Sequence, residues 1–421
     1  MNRMTKVRTA GVAAQVASSQ IAVAASNYLV LALAARELGT GIAAVSSYYL
    51  LINTVGRGLF AAVELETTRA VASAAATGGD VRQARVDALR HTGILLAGAI
   101  VLVGASAPLL AAVVGSSGSA IALLAVGSVT MAASYLVRGP LAGTQQYGRY
   151  AATFWLEAVV GIGTAAVLTL TDVRSATAWI AVFALSPVVG TLVLLLRSPR
   201  VTAALPTDVG PIAPRNSLPE LLWSAALLMA GQGAWNLAPV IVNARLGEAS
   251  AAATGFFAVA VILRAPVLLF PSVQALLLPA ITAMVDTGDT AAVRRTTRRL
   301  GLLLLAGGAV WLVLAVVLVP TLARVVLAAT VIPDPWVLLA LAASTVIGAA
   351  AQIGQTHLVA ARRQSGVALA WISGLLVLLA VGLALAPPMT AATLGQLVGA
   401  AVVLVVLDLA RRRIPTTGAR S

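Results

Sequence analysis

"TGGDVRQARVDALR", residues 77–90, returns 209 positions later (286 − 77) as "DTGDTAAVRRTTRR", residues 286–299. The same ungapped shift sets Asn27 against Asn236, Arg36 against Arg245, Asp80 against Asp289, Arg85 against Arg294, Arg90 against Arg299 and Gly98 against Gly307. It also brings "AAREL" onto "NARLG". Matches spread over so much of the chain mean that one structural unit is used twice. The nature of that unit follows from the apolar segments on either side of each copy.

Of the 421 residues 60% are hydrophobic and only 10% are charged, with a mean hydropathy of +0.97. A soluble chain must cover itself with polar surface and does not reach such values, so this is an all-α polytopic membrane protein. Crossing about 30 Å of hydrocarbon takes roughly 20 apolar residues. Twelve such spans fit, at 10–35, 41–64, 91–114, 119–137, 150–171, 176–196, 219–244, 249–272, 300–328, 335–357, 366–386 and 390–408.

The net charge of +14 is dispersed over many short loops rather than gathered in one patch, which excludes nucleic acid as a partner. With the N-terminus inside, the inner segments hold 22 of the 28 lysines and arginines, Arg138 and Arg149 among them, and the outer segments hold Arg36, Arg174, Arg245 and Arg324. This bias predicts that both termini lie in the cytoplasm. Two basic residues remain unassigned to either side, Arg57 and Arg264, and both fall inside spans. The absence of cysteine and the isolation of His91 and His357 leave no expected metal site or cofactor, and with Lys6 as the sole lysine no phosphate-binding loop can form. No catalytic triad is legible either, so an enzyme is not expected.

Six spans return the chain to the side where it started, so the repeat is parallel: an N-terminal bundle over 1–197 and a C-terminal bundle over 218–421. Between them, 198–217 reads as an extended cytoplasmic linker, with Pro199, Pro206, Pro211 and Pro214.

Polar residues inside the spans are the candidate functional ones, since hydrocarbon makes them costly. At 100° per residue Asn53, Arg57, Glu64 and Thr68 share one face of the second span, Gln232, Asn236 and Asn243 one face of the seventh, and Gln20 and Asn27 one face of the first. Arg264 lies in the eighth span beside Pro266. Spans one, two, seven and eight are thus polar-lined, and a water-filled cleft between the halves is expected. Asparagine and glutamine serve equally well as glue between helices, and Arg57 can snorkel or pair with Glu64. The ungapped shift sets Arg57 against Pro266 instead of Arg264, so only a local change of helix register would aim both arginines at one cavity. Glu157, seven residues beyond Tyr150, is either an ion site or a structural carboxylate, and Glu66 is spaced to pair with Arg69.

Two stretches carry a resemblance: "GRGLFAAVELETTRAVA" from the second span, and "VRGPLAGTQQYGRYAATFWLEA" joining the fourth and fifth. With the twelve spans, the repeat and the linker, they resemble the multidrug, oligosaccharidyl-lipid and polysaccharide exporter superfamily. Within it the chain is most similar to the polysaccharide and O-unit flippases, and more distantly to the lipid II flippases. That resemblance implies a MATE-like, V-shaped pair of bundles, working as a monomer in the bacterial inner membrane. It implies flipping of a lipid-linked oligosaccharide, a polyprenyl-diphosphate sugar, to the outer leaflet by alternating access, driven by a coupling ion or the membrane potential. Substrate would be bound by Arg57, Arg264, Asn53, Asn27, Gln232 and Asn236, with Glu64 and Glu157 coupling the ion. Lipid II flippases carry further basic residues on the first span, and none lies between Arg8 and Arg36 here. The alternatives are a MATE-like drug or cation exporter and a membrane glycosyltransferase or polymerase.

The charge bias yields a topology test. A reporter fused after Ser117 is expected on the outer side and one after Asp208 in the cytoplasm; the opposite placement of either rules out the twelve-span arrangement.

Overall fold

A backbone surrounded by hydrocarbon must satisfy its hydrogen bonds within its own segment, and the apolar runs accordingly fold as helices. The computed structural model describes residues 3–77, 81–114, 118–197, 218–247, 250–268, 290–360 and 363–412. The proline-rich segment 198–217, with Asp208, lies outside these residues, as do Asp80, Asp289, Ser117 and the end of the eighth span beyond 268.

The N-terminal helices are α1 (Arg3–Leu38), α2 (Ile42–Ile52), α3 (Gly58–Thr77), α4 (Val81–Ala105), α5 (Ala107–Val114), α6 (Gly118–Gly143), α7 (Tyr147–Leu170) and α8 (Ala176–Arg197). They are followed by α9 (Leu218–Leu246), α10 (Ala251–Leu263), α11 (Ala265–Leu268), α12 (Thr290–Val317), α13 (Val319–Leu327), α14 (Pro335–Ala360), α15 (Gln364–Ala384) and α16 (Pro388–Arg412). A π turn, Asn53–Arg57, joins α2 to α3, and α4–α5, α10–α11 and α12–α13 are each one span broken once, so the described helices group into the twelve expected spans. Ten helical stretches are long and apolar enough to cross a membrane. The first of these, Ala14–Ala75, holds two spans divided at the short turn Gly39–Gly41, and Ala251–Val267 is a shorter apolar helix. The chain is a multi-pass membrane protein.

By contacts the chain forms two compact units, Met1–Met229 and Ala230–Ser421. The division falls inside α9, whose early turns are tied to the first unit by the Ser224 hydroxyl donating to Glu66 Oε1 at 3.1 Å. Each unit repeats the other's pairings: α4 with α6, α6 with α8, α7 with α8 and α2 with α6 in the first, against α12 with α14, α14 with α16, α15 with α16 and α10 with α14 in the second. The first helix of each unit ends alike, on a glycine with positive φ, Gly39 at +56° and Gly247 at +87°. A left-handed residue there closes a helix without a side-chain penalty. Just before the second of these, the Arg245 guanidinium donates to the Gly382 carbonyl at 2.9 Å and to that of Leu385, capping the end of α15.

The fourth span differs from its expected limits. The apolar run ends at 137, but α6 continues to Gly143, so Arg138 is drawn out of the cytoplasmic loop and is only 2% exposed. Small residues make the extension possible. A Cβ on Gly139 would lie 2.8 Å from Thr67 Cβ, and one on Gly143 would lie 2.9 Å from the Thr68 carbonyl, so α6 rides directly on the backbone of α3. Thr68 donates to the Gly139 carbonyl at 3.2 Å across this contact.

Filling it should separate the helices. Gly143→Leu is expected to destabilise the protein by about 1–3 kcal/mol or more, the usual range for overpacking. The check is the apparent Tm in detergent; an unchanged Tm would mean that the crossing is not tight.

Candidate functional site

Each unit gathers polar side chains into its spans. In the first, the π turn places Asn53 and Arg57 in a stretch where i→i+5 bonding replaces the α pattern. The 100° spacing that put Asn53, Arg57, Glu64 and Thr68 on one face does not hold across it. Asn53 is buried and its amide donates to its own helix, to the Tyr49 carbonyl at 2.7 Å. Arg57 is half-buried between two close backbone approaches: a Cβ on Gly56 would meet Met131 Cγ at 2.9 Å and one on Gly58 would meet Met229 Cα at 2.6 Å. Its guanidinium makes no hydrogen bond or ion pair among the described residues. Among the described residues it does not pair with Glu64, one of the alternatives its spacing allowed. Glu64 Oε1 instead accepts the Tyr150 hydroxyl at 2.7 Å.

Tyr150 belongs to a stripe on α7, Tyr150, Thr153, Phe154 and Glu157, spaced to share one face. Into this face α6 inserts Arg138. Its Nη2 donates to Glu157 Oε2 at 2.6 Å and its Nε to Thr153 Oγ1 at 3.0 Å, while Thr153 donates onward to the Tyr150 carbonyl at 2.7 Å. The guanidinium carbon stands 3.9 Å from the Phe154 ring centroid and 5.5 Å from that of Tyr135. The paired side chains are 3% and 8% exposed. Glu157 is thus an ion-paired carboxylate, and the arginine that holds it was assigned from sequence to a loop. The signal that finds it is the α7 stripe, which needs a cation opposite its buried acid. Glu66 and Arg69 form the expected pair at 2.9 Å.

In the second unit α9 supplies Gln232 and Asn236, and α10 ends at Arg264, where a turn precedes Pro266. Arg264 is 8% exposed and its Nη1 donates to Asn236 Oδ1, while Asn236 Nδ2 reaches Gln232 Oε1 at 3.5 Å. Asn243 is buried and Asn27 half-buried on their helices. Both span arginines therefore sit at a local break in the α register, the π turn for Arg57 and the turn at Arg264. Sequence spacing cannot supply such breaks. Of the expected residues the structure brings together Gln232, Asn236 and Arg264 in one unit. It sets Glu64 and Glu157 in the Arg138 network of the other.

No protein-family model and no curated sequence matches the chain. Solved structures do match. An inward-facing multidrug resistance MATE family transporter of the MOP superfamily is similar with a TM-score of 0.70 at 12% identity, over 97% of this chain and 99% of its own. An outward-facing multidrug resistance MATE transporter of that superfamily gives 0.64 at 14% identity, over 95% of this chain and 94% of its own. A MOP superfamily transporter from Pyrococcus furiosus, described by a reverse polarity of its binding pocket that suggests a different function, gives 0.62 at 15% identity over 95% of each chain. The fold is that of the MATE transporters.

The ion pair gives a stability test. Arg138→Met strands a buried carboxylate and is expected to cost about 3–5 kcal/mol, whereas Arg138→Met with Glu157→Met removes both charges and should recover most of that. Apparent Tm and the folded yield in detergent check this; a double variant as unstable as the single one overturns the pairing.

Proposed function

We propose that the protein is a transporter that moves an anionic, lipid-linked oligosaccharide, a polyprenyl-diphosphate sugar, from the inner to the outer leaflet by alternating access, in cell-surface polysaccharide biosynthesis. The observation that carries this reading is Arg57, a half-buried guanidinium inside a span with no acidic partner among the described residues. A buried cation is retained in hydrocarbon at a cost of about 2.5–3.5 kcal/mol on insertion scales, and a substrate anion offsets it. Arg264, buried and donating to Asn236, is a second guanidinium inside a span. A planar guanidinium matches two phosphate oxygens at once, and an inside-negative potential favours outward movement of each negative charge by about 2.3 kcal/mol per 100 mV. Asn27, Asn53, Gln232 and Asn236 line the substrate path in this proposal. Glu64, partly accessible and bonded to Tyr150, couples the ion together with Glu157. The similar MOP superfamily transporter with a reversed pocket polarity is consistent with one scaffold serving ligands of opposite charge.

A second reading, a drug or cation exporter, is favoured by the likeness to multidrug resistance MATE transporters and by the carboxylates Glu64 and Glu157. The two readings part on Arg57. A charge-assisted hydrogen bond is worth about 1.5–3 kcal/mol, so Arg57→Ala should lower flipping of a polyprenyl-diphosphate sugar in proteoliposomes roughly 10- to 100-fold at equal protein abundance. Arg57→Lys keeps the charge and loses the fork, so partial activity is expected. Undiminished flipping by Arg57→Ala, or transport of cationic drugs without any sugar flipping, would sink the proposal.

A further inference from the structure

The third span of the second unit begins with "TAAVRRTTRRLGLLLL" and has no acid in its first turn. A helix N-terminus carries the positive end of the backbone dipole, so a cluster of arginines there is locally unfavourable without a counter-charge. Arg295, Arg298 and Arg299 are exposed and make no hydrogen bond or ion pair among the described residues. What surrounds them is set by the rest of α12. Its membrane-crossing window is only 11% buried, against 28% for the matching window of α4 in the first unit. Leu302, Leu303, Val310, Val313 and Val317, exposed between 57% and 71%, lie below the arginines within roughly 100° of the helix circumference and make an acyl-chain-facing stripe on the same side. From Arg299 to Val317 the helix rises about 27 Å, close to the thickness of the hydrocarbon. The three guanidinium groups therefore stand at the headgroup level, on the cytoplasmic side by the arginine bias, directly above bare lipid-facing helix.

We propose that this corner of α12 binds the headgroup of an anionic phospholipid of the cytoplasmic leaflet, with Arg295, Arg298 and Arg299 on its phosphate and the acyl chains along the stripe from Leu302 to Val317. The charge complementarity is direct: three guanidinium groups without a partner among the described residues face a surface whose fixed charges are phosphates. The same position in the first unit is built differently. There Asp87 stands among Arg82, Arg85 and Arg90 and takes a hydrogen bond from Gln83 at 2.9 Å, so part of the charge is offset within the helix. The lipid site belongs to the second unit and is independent of the transported substrate.

The test uses the purified full chain in nanodiscs of phosphatidylcholine with a minor fraction of phosphatidylglycerol, counting phosphatidylglycerol retained by native mass spectrometry. The parent is expected to retain it and to lose it as salt rises. Each arginine near an anionic surface contributes about fivefold in affinity, so R295Q/R298Q/R299Q should weaken retention roughly a hundredfold. A control, R149Q/R174Q/R324Q, removes as much charge elsewhere and should retain lipid like the parent. Equal retention by the α12 variant overturns the proposal, and so does an equal loss in the control, which would make the effect one of net charge. Displacement by inorganic phosphate, or retention of a polyprenyl diphosphate with no phosphatidylglycerol, also overturns it. Circular dichroism matching the parent shows that the α12 variant is folded, and a misfolded triple variant is replaced by R298Q alone, expected to lose about fivefold.

Discussion

Hydrocarbon supplies no hydrogen bonds, and that single deficit organises the chain. Every donor and acceptor within it must find a partner in the protein or carry a function. The backbone meets the demand with helices, and small side chains meet it by returning to their own turn, as Thr54 does to the Leu50 carbonyl at 2.8 Å and Thr92 to that of Ala88 at 2.7 Å. Charges cannot be met so locally. Arg138 requires a carboxylate, a threonine hydroxyl and two aromatic faces drawn from its own helix and α7, and α6, α7 and α3 are held in register by that network. In the second unit the buried Arg264 donates to the Asn236 side chain.

The plan was legible because it rests on long-range regularities. Apolar run length, the arginine asymmetry and the 209-residue repeat all survive local irregularity, and the twelve helical spans follow from them. The Glu66–Arg69 pair was legible for a similar reason, since it lies within one regular helix. What failed was local. Arg138 looked like a loop residue because hydropathy treats any arginine as an end, whereas a buried acid on the facing helix lets the span run on. Glu64 was a possible partner of Arg57, because seven residues make two α turns, and its carboxylate instead takes the Tyr150 hydroxyl from α7. The candidate site was half legible: Gln232, Asn236 and Arg264 do meet, but Tyr150 and Arg138 were recognisable only once α6 and α7 were set side by side.

The glycine contacts explain why the network can be so compact. Gly139 and Gly143 let α6 lie on the backbone of α3, close enough for Thr68 to reach the carbonyl of Gly139, the residue next to Arg138. A bulkier seam would hold the guanidinium farther from Glu64 and Tyr150. Charge pairing and close packing are in this respect one constraint, because the arginine is tolerated only where the helices are near.

The π turn at Asn53–Arg57 has a mechanical consequence. It holds one residue more than an α-helix of equal rise, and that surplus lies between two anchored ends. Upstream, Tyr48 is fixed by its hydroxyl to the Leu123 carbonyl at 2.9 Å, and downstream Thr68 is fixed to Gly139. A surplus residue trapped in this way behaves as torsional slack. Passing it one position along the helix turns the intervening side chain through about 100°, while neither end unwinds or slips. Arg57 is the last residue of the turn. The one charged group of the turn thus stands where the backbone can swivel it without disturbing either anchor.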